Sequence, residues 1–457
     1  MRIVLHGNTL FAWTAATQLA ALGHSVTLCP AWSVLITRPD DEVAREFGLT
    51  DSLSDQILAQ RLSFASGIDF LSPDKPVVDQ HLLALDGSVR RLQDQCEALV
   101  CAACLRADGE PVPAFGVLTA FPAGTLRKLS DYLQQVFDYQ CRQAIADQRI
   151  LPSRGPLTFA LPLFVRAGSA LADFTAPPLL LIGCNEESAR TLLFEALRPV
   201  VRNAREVMWV SLDAAELIKS AVNAMLATRV SFMNELASLC EHLRVDVDVV
   251  RQGMAADPRI GRAYLEPGCG FGGPSFSGEV INFSQTLQQS LGHSTLIGTV
   301  MDINTRQREE LFRKVWRYFR GDLRGRCFVV WGAAYKPGSA SVQESAVHPL
   351  LQALWAQGAR TVVYDPLAGQ SLAEHYTDQP LLLVANTLAE SLEGGTEHAL
   401  EAVIVVTACD EFKSPDYRLL HQRLKAPVIF DGRNIYDPDF MRQSGFVYVG
   451  IGRGDSV

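Results

Sequence analysis

No run of apolar residues in this sequence approaches the ~20 that a membrane span needs. The opening, MRIVLHGNTLFAW, carries one basic residue and then turn chemistry within seven positions, which suits a first strand and not a signal peptide. A cytoplasmic location is expected. Positive charge is scarce as well: 41 Lys and Arg stand against 50 Asp and Glu, a net −9, whereas nucleic-acid and anionic-membrane surfaces need a basic field. No nucleic acid and no membrane is therefore expected as partner, and a charged ligand must be held by local cations. The ten cysteines show no disulfide framework; they are scattered through apolar segments as reduced, buried thiols are. Only Cys101 and Cys104 make a C-x-x-C, and with no second pair or His cluster beside them no metal site is expected. Two thiols at a strand end is the plain expectation for that pair.

The 457 residues, 48% hydrophobic and 20% charged, are enough for two or three domains with a sizeable core. Residues 2–6 are a short apolar run, followed by Gly7-Asn8-Thr9, a helical pattern over 10–22 closed by Gly23, and a second apolar run at 25–29. That β-turn-α-β opening is the start of a doubly wound nucleotide-binding sheet. Strand-like runs at 98–103, 115–121, 157–161 and 179–183 alternate with helical segments at 124–148 and 185–200, giving one α/β domain over 1–200. From 201 to 252 the pattern reads as helix, with Asp213 and Glu216 at capping-box spacing. A helix of that length reads as a spine and a dimer surface, within a central helical domain over 201–300. A second β-turn-α-β unit starts at 326–332, with strands at 361–364, 381–384, 402–407 and 427–430, in a third domain over 301–457. The fold class is α/β: two Rossmann-like doubly wound domains joined by a long central helix and a helical middle domain.

Five glycines fall between Pro267 and Glu279 (PGCGFGGPSFSGE), a backbone expected to form a loop where main chain can approach a ligand closely. Around it, three segments in order, DAAELIKSAVNAMLATRVSFMNELASLC, DPRIGRAYLEPGCGFGG and FDGRNIYDPDF…GFVYVGIGRG, resemble the UDP-glucose/GDP-mannose dehydrogenase family, the last leaning toward its UDP-glucose branch. The resemblance covers nearly the whole chain. It implies an N-terminal NAD lobe, a C-terminal lobe for the nucleotide sugar, and a double oxidation of the hexose C6 in which a cysteine captures the aldehyde as a thiohemiacetal.

Residue by residue, that implication divides. The dinucleotide fingerprint falls on Gly7, Thr9 and Ala12, of which the first alone is a glycine, and the acidic residue expected on the adenine ribose is Pro30. Losing hydrogen bonds to a charged acceptor costs roughly 1.5–3 kcal/mol, so NAD binding should be badly weakened; the alternative role is a lobe kept as scaffold. Positions the family uses near the nicotinamide correspond to Cys104, Leu105 and Ala120, its catalytic glutamate to Leu163, and the nearby acidic position to Ala167. The nucleophilic cysteine becomes Ser275 and the aspartate after it Glu279; a serine needs a positioned base that a thiol near pKa ~8.5 does not. Lys219 and Asn223, four apart on one helical face, match the pair that stabilises the developing alkoxide and orients water. The sugar-nucleotide residues match more fully: Arg166, Arg259 (which in the family reaches the neighbouring subunit's sugar), Tyr264, Leu265, Gly270, Gly272, Gly273, Lys336 and Arg433. The expectation is a UDP-sugar-binding homologue, dimeric through the central helix, that has lost the four-electron oxidation; a single oxidation or redox-neutral reaction, and a structural subunit paired with an active relative, are the alternatives.

Overall fold

Eight strands form the first sheet: β1 (Arg2–His6), β2 (Ser25–Cys29), β3 (Leu62–Phe64), β4 (Gln80–Leu83), β5 (Ala114–Val117), β6 (Leu157–Ala160), β7 (Leu180–Cys184) and β8 (Val207–Val210). They lie in the order β3-β2-β1-β4-β5-β6-β7-β8, and β6 with β7 is the antiparallel pair. The second sheet holds β9 (Cys327–Trp331), β10 (Arg360–Tyr364), β11 (Leu382–Val384), β12 (Leu400–Val405), β13 (Val428–Asp431) and β14 (Val447–Gly450), in the order β11-β10-β9-β12-β13-β14. Both carry the 3-2-1-4-5-6 order of a doubly wound sheet. Helices cover both faces of such a sheet, so its central strands are apolar throughout; β9 and β12 are buried at every residue.

This computed structural model describes residues 1–39, 41–46, 48–72, 77–85, 89–106, 109–393 and 399–454. It divides into two compact units, Met1–Ala221 and Val222–Val457. The helix Leu212–Leu243 contributes residues to both, and the second unit adds helices Val247–Ala256, Pro274–Leu291 and Thr295–Arg308 ahead of its sheet. Among the described residues no helix is long and apolar enough to cross a membrane.

Three expectations are corrected. Residues 98–103 are not a strand but the end of the helix Val89–Cys104. Its buried positions Leu92, Cys96, Leu99, Val100 and Ala103 recur at helical spacing, and the apolar tail ALVCAAC taken alone hides that period. Cys101 and Cys104 therefore sit one turn apart on a helix. The strand beside β1 is β4, so Cys104 and Leu105 do not end a strand next to the cofactor turn; residues 86–88, which follow β4, lie outside the described residues. The run expected to be helical from 201 is interrupted by β8, and the long helix starts at Leu212 with Ser211 as its cap, its hydroxyl accepting from the Ala214 N–H. Finally, the loop expected over 267–279 ends at Gly273: Ser275 and Glu279 stand on the first turns of the helix Pro274–Leu291, whose proline occupies the first position, where a missing N–H costs nothing.

Candidate functional site

In the second unit the glycine loop is gripped from outside by side-chain amides. The Asn234 Oδ1 accepts from the Gly268 N–H at 2.8 Å, and Gln307 donates to the Gly268 carbonyl at 2.8 Å. Asn304 closes a reciprocal pair with Phe271, accepting from its N–H (2.8 Å) and donating to its C=O (3.0 Å). The glycines are where the C-terminal lobe presses in: a Cβ on Gly272 would lie 2.0 Å from the Glu344 carbonyl oxygen, and one on Gly273 2.5 Å from the Tyr335 ring. Gly270, at φ +85, would meet the Asn304 side chain at 2.8 Å. The loop's glycines thus serve close backbone packing first, and that packing fixes which of its polar groups face outward. Asn234, Asn304 and Gln307 went unseen in the sequence, where the signal available was a buried amide on an otherwise apolar helix face.

Cations border this loop. Arg433 donates from Nε to the Val406 carbonyl (2.8 Å) and from Nη1 to the Gly270 carbonyl (3.2 Å), while its backbone N–H is held by Asp431 (2.9 Å). Arg308, absent from the expected set, bonds Glu344 and the Ser345 carbonyl, leaving a buried Nε without a partner. Lys336 follows β9, its ammonium 5.9 Å from the Tyr335 ring centre. A planar guanidinium anchored by carbonyls is preorganised for bidentate phosphate.

Near the helix Pro274–Leu291, Tyr264 is part-exposed at φ +59 and stacks on Phe276, which meets Phe271 edge-on. Leu265 is buried in the core, which leaves a ligand only its backbone. The Arg259 side chain is 87% exposed and doubly bonded to Asp257, a projecting arginine held in one orientation. Ser275 is exposed; Glu279, one turn on, is buried and accepts from the Asn223 side-chain amide.

In the first unit Lys219 is buried, its ammonium 4.5 Å over the Phe164 ring. One turn earlier, the Glu216 carboxylate caps a different helix, accepting from the N–H groups of Gly124 (2.8 Å) and Leu126 (3.1 Å). Burial pushes that carboxyl up to about 8 against the pull of those donors. Leu163 packs with Leu161 and Phe174 around a cavity of about 20 Å³ that Asp173 also lines, and its own side chain can relay no proton. Arg166 is engaged by Asp173 through Nε (3.0 Å) and Nη2 (2.8 Å).

The turn after β1 fits a dinucleotide poorly. Gly7 is required, since at φ +131 its Cβ would fall 2.2 Å from the Ala84 carbonyl oxygen, and Ala12 packs fully buried. But Thr9 is the cap of the helix Leu10–Ala21: its hydroxyl accepts from the Ala12 N–H at 3.2 Å, at the helix end where a pyrophosphate would lie. The Trp13 indole also folds back onto Asn8 (2.8 Å). Below the turn, His6 and His81 share a 3.0 Å hydrogen bond in a buried shell of Trp32, Phe70 and Phe115. Burial pushes the His6 imidazole down to about 3.

The chain as a whole is similar to known proteins. Residues 213–306 match the UDP-glucose/GDP-mannose dehydrogenase family, central domain, and residues 329–438 its UDP binding domain. A UDP-glucose 6-dehydrogenase of Pseudomonas aeruginosa is 32% identical over 99% of this chain and 98% of its own, and one of Bacillus subtilis is 27% identical over 99% and 93%. The solved structure of a UDP-glucose dehydrogenase from the archaeon Pyrobaculum islandicum superposes with a TM-score of 0.79 at 26% identity, covering 99% of this chain and 97% of that one. With two domains matched in order and a relative aligned end to end, the chain belongs to the UDP-glucose/GDP-mannose dehydrogenase family.

Proposed function

We propose that this protein binds a UDP-hexose through its second unit and does not carry out the cysteine-dependent oxidation to the uronic acid. The observation that carries this reading is Ser275 in the nucleophile's place. Its hydroxyl stands on an exposed helical turn, while the neighbouring carboxylate of Glu279 is engaged by Asn223. An unactivated serine is a weak nucleophile, and Leu163 supplies no acid or base in the first unit. Arg433, Lys336 and the braced glycine loop support the binding half of the reading. The nicotinamide dinucleotide does not fit the Thr9 cap and Pro30. In this reading the protein is cytoplasmic and works as a regulatory or structural subunit, alone or beside an active relative.

Self-association is supported by an exposed apolar stripe on the long helix, Val222, Met225, Phe232, Leu239 and Leu243, at near-heptad spacing. A homodimer in solution that becomes monomeric on Phe232→Asp is the expected result in sedimentation.

Calorimetry with UDP-glucose and with NAD⁺, beside an absorbance assay for NADH, tests the function. Binding of UDP-glucose with neither NAD⁺ binding nor NADH is expected. A second reading, a single oxidation of a UDP-sugar, rests on Lys219 and Asn223 standing one turn apart on one helix; steady NADH release from UDP-glucose would select it and sink the first.

A further inference from the structure

In the second unit one stretch of chain, 257–268, runs from the end of the helix Val247–Ala256 directly into the glycine loop. It begins with a tight turn. The Asp257 carbonyl accepts from the N–H groups of Ile260 (3.0 Å) and Gly261 (2.9 Å), while its carboxylate holds the Arg259 N–H at 3.0 Å as well as the Arg259 guanidinium. Beyond the turn Tyr264 stands at φ +59. A tyrosine in the left-handed region is strained, and such a conformation persists only where its neighbours impose it. The stacking of Tyr264 on Phe276 is one constraint of that kind.

The other comes from the helix Leu212–Leu243. Arg229 donates from Nη1 to the Ile260 carbonyl (2.9 Å) and from Nη2 to the Gly261 carbonyl (3.1 Å), and its Nε is buried with no partner among the described residues. Five residues on, the same helix gives Asn234 to the Gly268 N–H at 2.8 Å. One helix therefore anchors the stretch at 260–261 and again at 268, with Tyr264 and Leu265 suspended between the two anchors. Arg259, fastened to Asp257, projects from the turn that Arg229 grips. A planar guanidinium bonded to two successive carbonyls fixes the tilt of that turn as well as its place, which the point charge of an ammonium does not.

We infer that Arg229 is a positioning residue of the ligand site: it sets Arg259 and Tyr264 in the arrangement in which they meet the ligand. The inference rests on the UDP-hexose reading of the second unit and deepens it. Groups already in place lose little freedom on binding, so releasing the turn from Arg229 costs affinity although the ligand-facing side chains are all still present.

The test is a double-variant cycle read by calorimetry of the full chain with UDP-glucose. Arg229→Met keeps much of the aliphatic stem and removes both donors; it should weaken UDP-glucose by about tenfold. Its melting temperature should change little, because Ile260 is exposed and water replaces the lost donor there. In an Arg259→Ala background the same change should cost less than about threefold more, since the group being positioned is gone. Combined with Arg433→Lys its effect should multiply in full, because Arg433 is anchored separately, on Val406 and Gly270. Arg229→Lys should fall between Arg229→Met and the unaltered protein. Unchanged affinity in Arg229→Met, or losses that multiply in full with Arg259→Ala, overturns the inference. Should Arg229→Met fail to fold, Arg229→Lys decides by the same cycle, and an affinity equal to that of the unaltered protein refutes it. Absence of UDP-glucose binding in the unaltered chain sinks the underlying reading and this inference together, whereas binding that Arg229→Met leaves intact sinks this inference alone.

Discussion

In the first unit the turn after β1 closes on itself, Thr9 accepting from Ala12 and Trp13 donating to Asn8, whereas in the second unit the loop before Pro274 is braced from outside by Asn234, Asn304 and Gln307. A loop held from outside keeps its remaining polar groups fixed whether or not a ligand is present, so binding costs it little ordering. A turn that caps its own helix has already committed the N–H that a phosphate would use. The contrast is between a loop braced by side chains from elsewhere and a turn that caps its own helix, built of similar residue types.

The comparison can be pressed hardest at the glycines. Gly272→Ala drives a methyl group to 2.0 Å from a backbone oxygen, and a loss of about 3 kcal/mol or more is expected, seen as a large fall in melting temperature together with loss of UDP-glucose binding. Gly7→Ala meets the Ala84 oxygen at 2.2 Å and should unfold as readily; surviving protein with tight UDP-glucose binding would show the units to be independent. Next in size, Arg433→Lys should weaken UDP-glucose by about 10- to 100-fold, the ~1.5–3 kcal/mol of charge-assisted hydrogen bonds, measured by titration. An unchanged affinity would remove Arg433 from the ligand site.

Acid should find the first unit's weak point. The folded chain holds His6 neutral, whereas the unfolded chain protonates it near pH 6.5, so its contribution is complete above that pH and is lost as the pH falls toward about 3. By pH 5 the cost for this one group is about 2 kcal/mol. Melting curves at pH 7.5 and 5 should show it, with a flatter dependence in His6→Phe/His81→Phe; a slope identical in both proteins would assign acid lability elsewhere. The smallest expected effect is a gain. Thr9→Gly with Pro30→Asp should raise NAD⁺ affinity by about tenfold, some ~1.4 kcal/mol, and no gain would place the obstacle outside the turn.

The sequence made the second sheet legible almost strand by strand, because buried parallel strands are continuous apolar runs set between helices. The same signal misled at 98–103, where a helix ends in small apolar residues. Ser275 and Glu279 are singled out by register within a motif, yet their helical setting is hidden in the sequence by the glycines just before them. Asn234, Asn304, Gln307 and Arg308 reach the loop from 33 to 39 residues away. Such meetings are decided by topology, which no local pattern encodes.

The Thr9 cap has a consequence for how the protein responds to its surroundings. A lobe that needs its cofactor to satisfy a helix end gains stability with cofactor concentration, by mass action. Here the hydroxyl is tethered to the chain and always present at its site. The melting temperature of the first unit should therefore be indifferent to the NAD⁺ pool, holding its shape equally in a reduced or an oxidised cell.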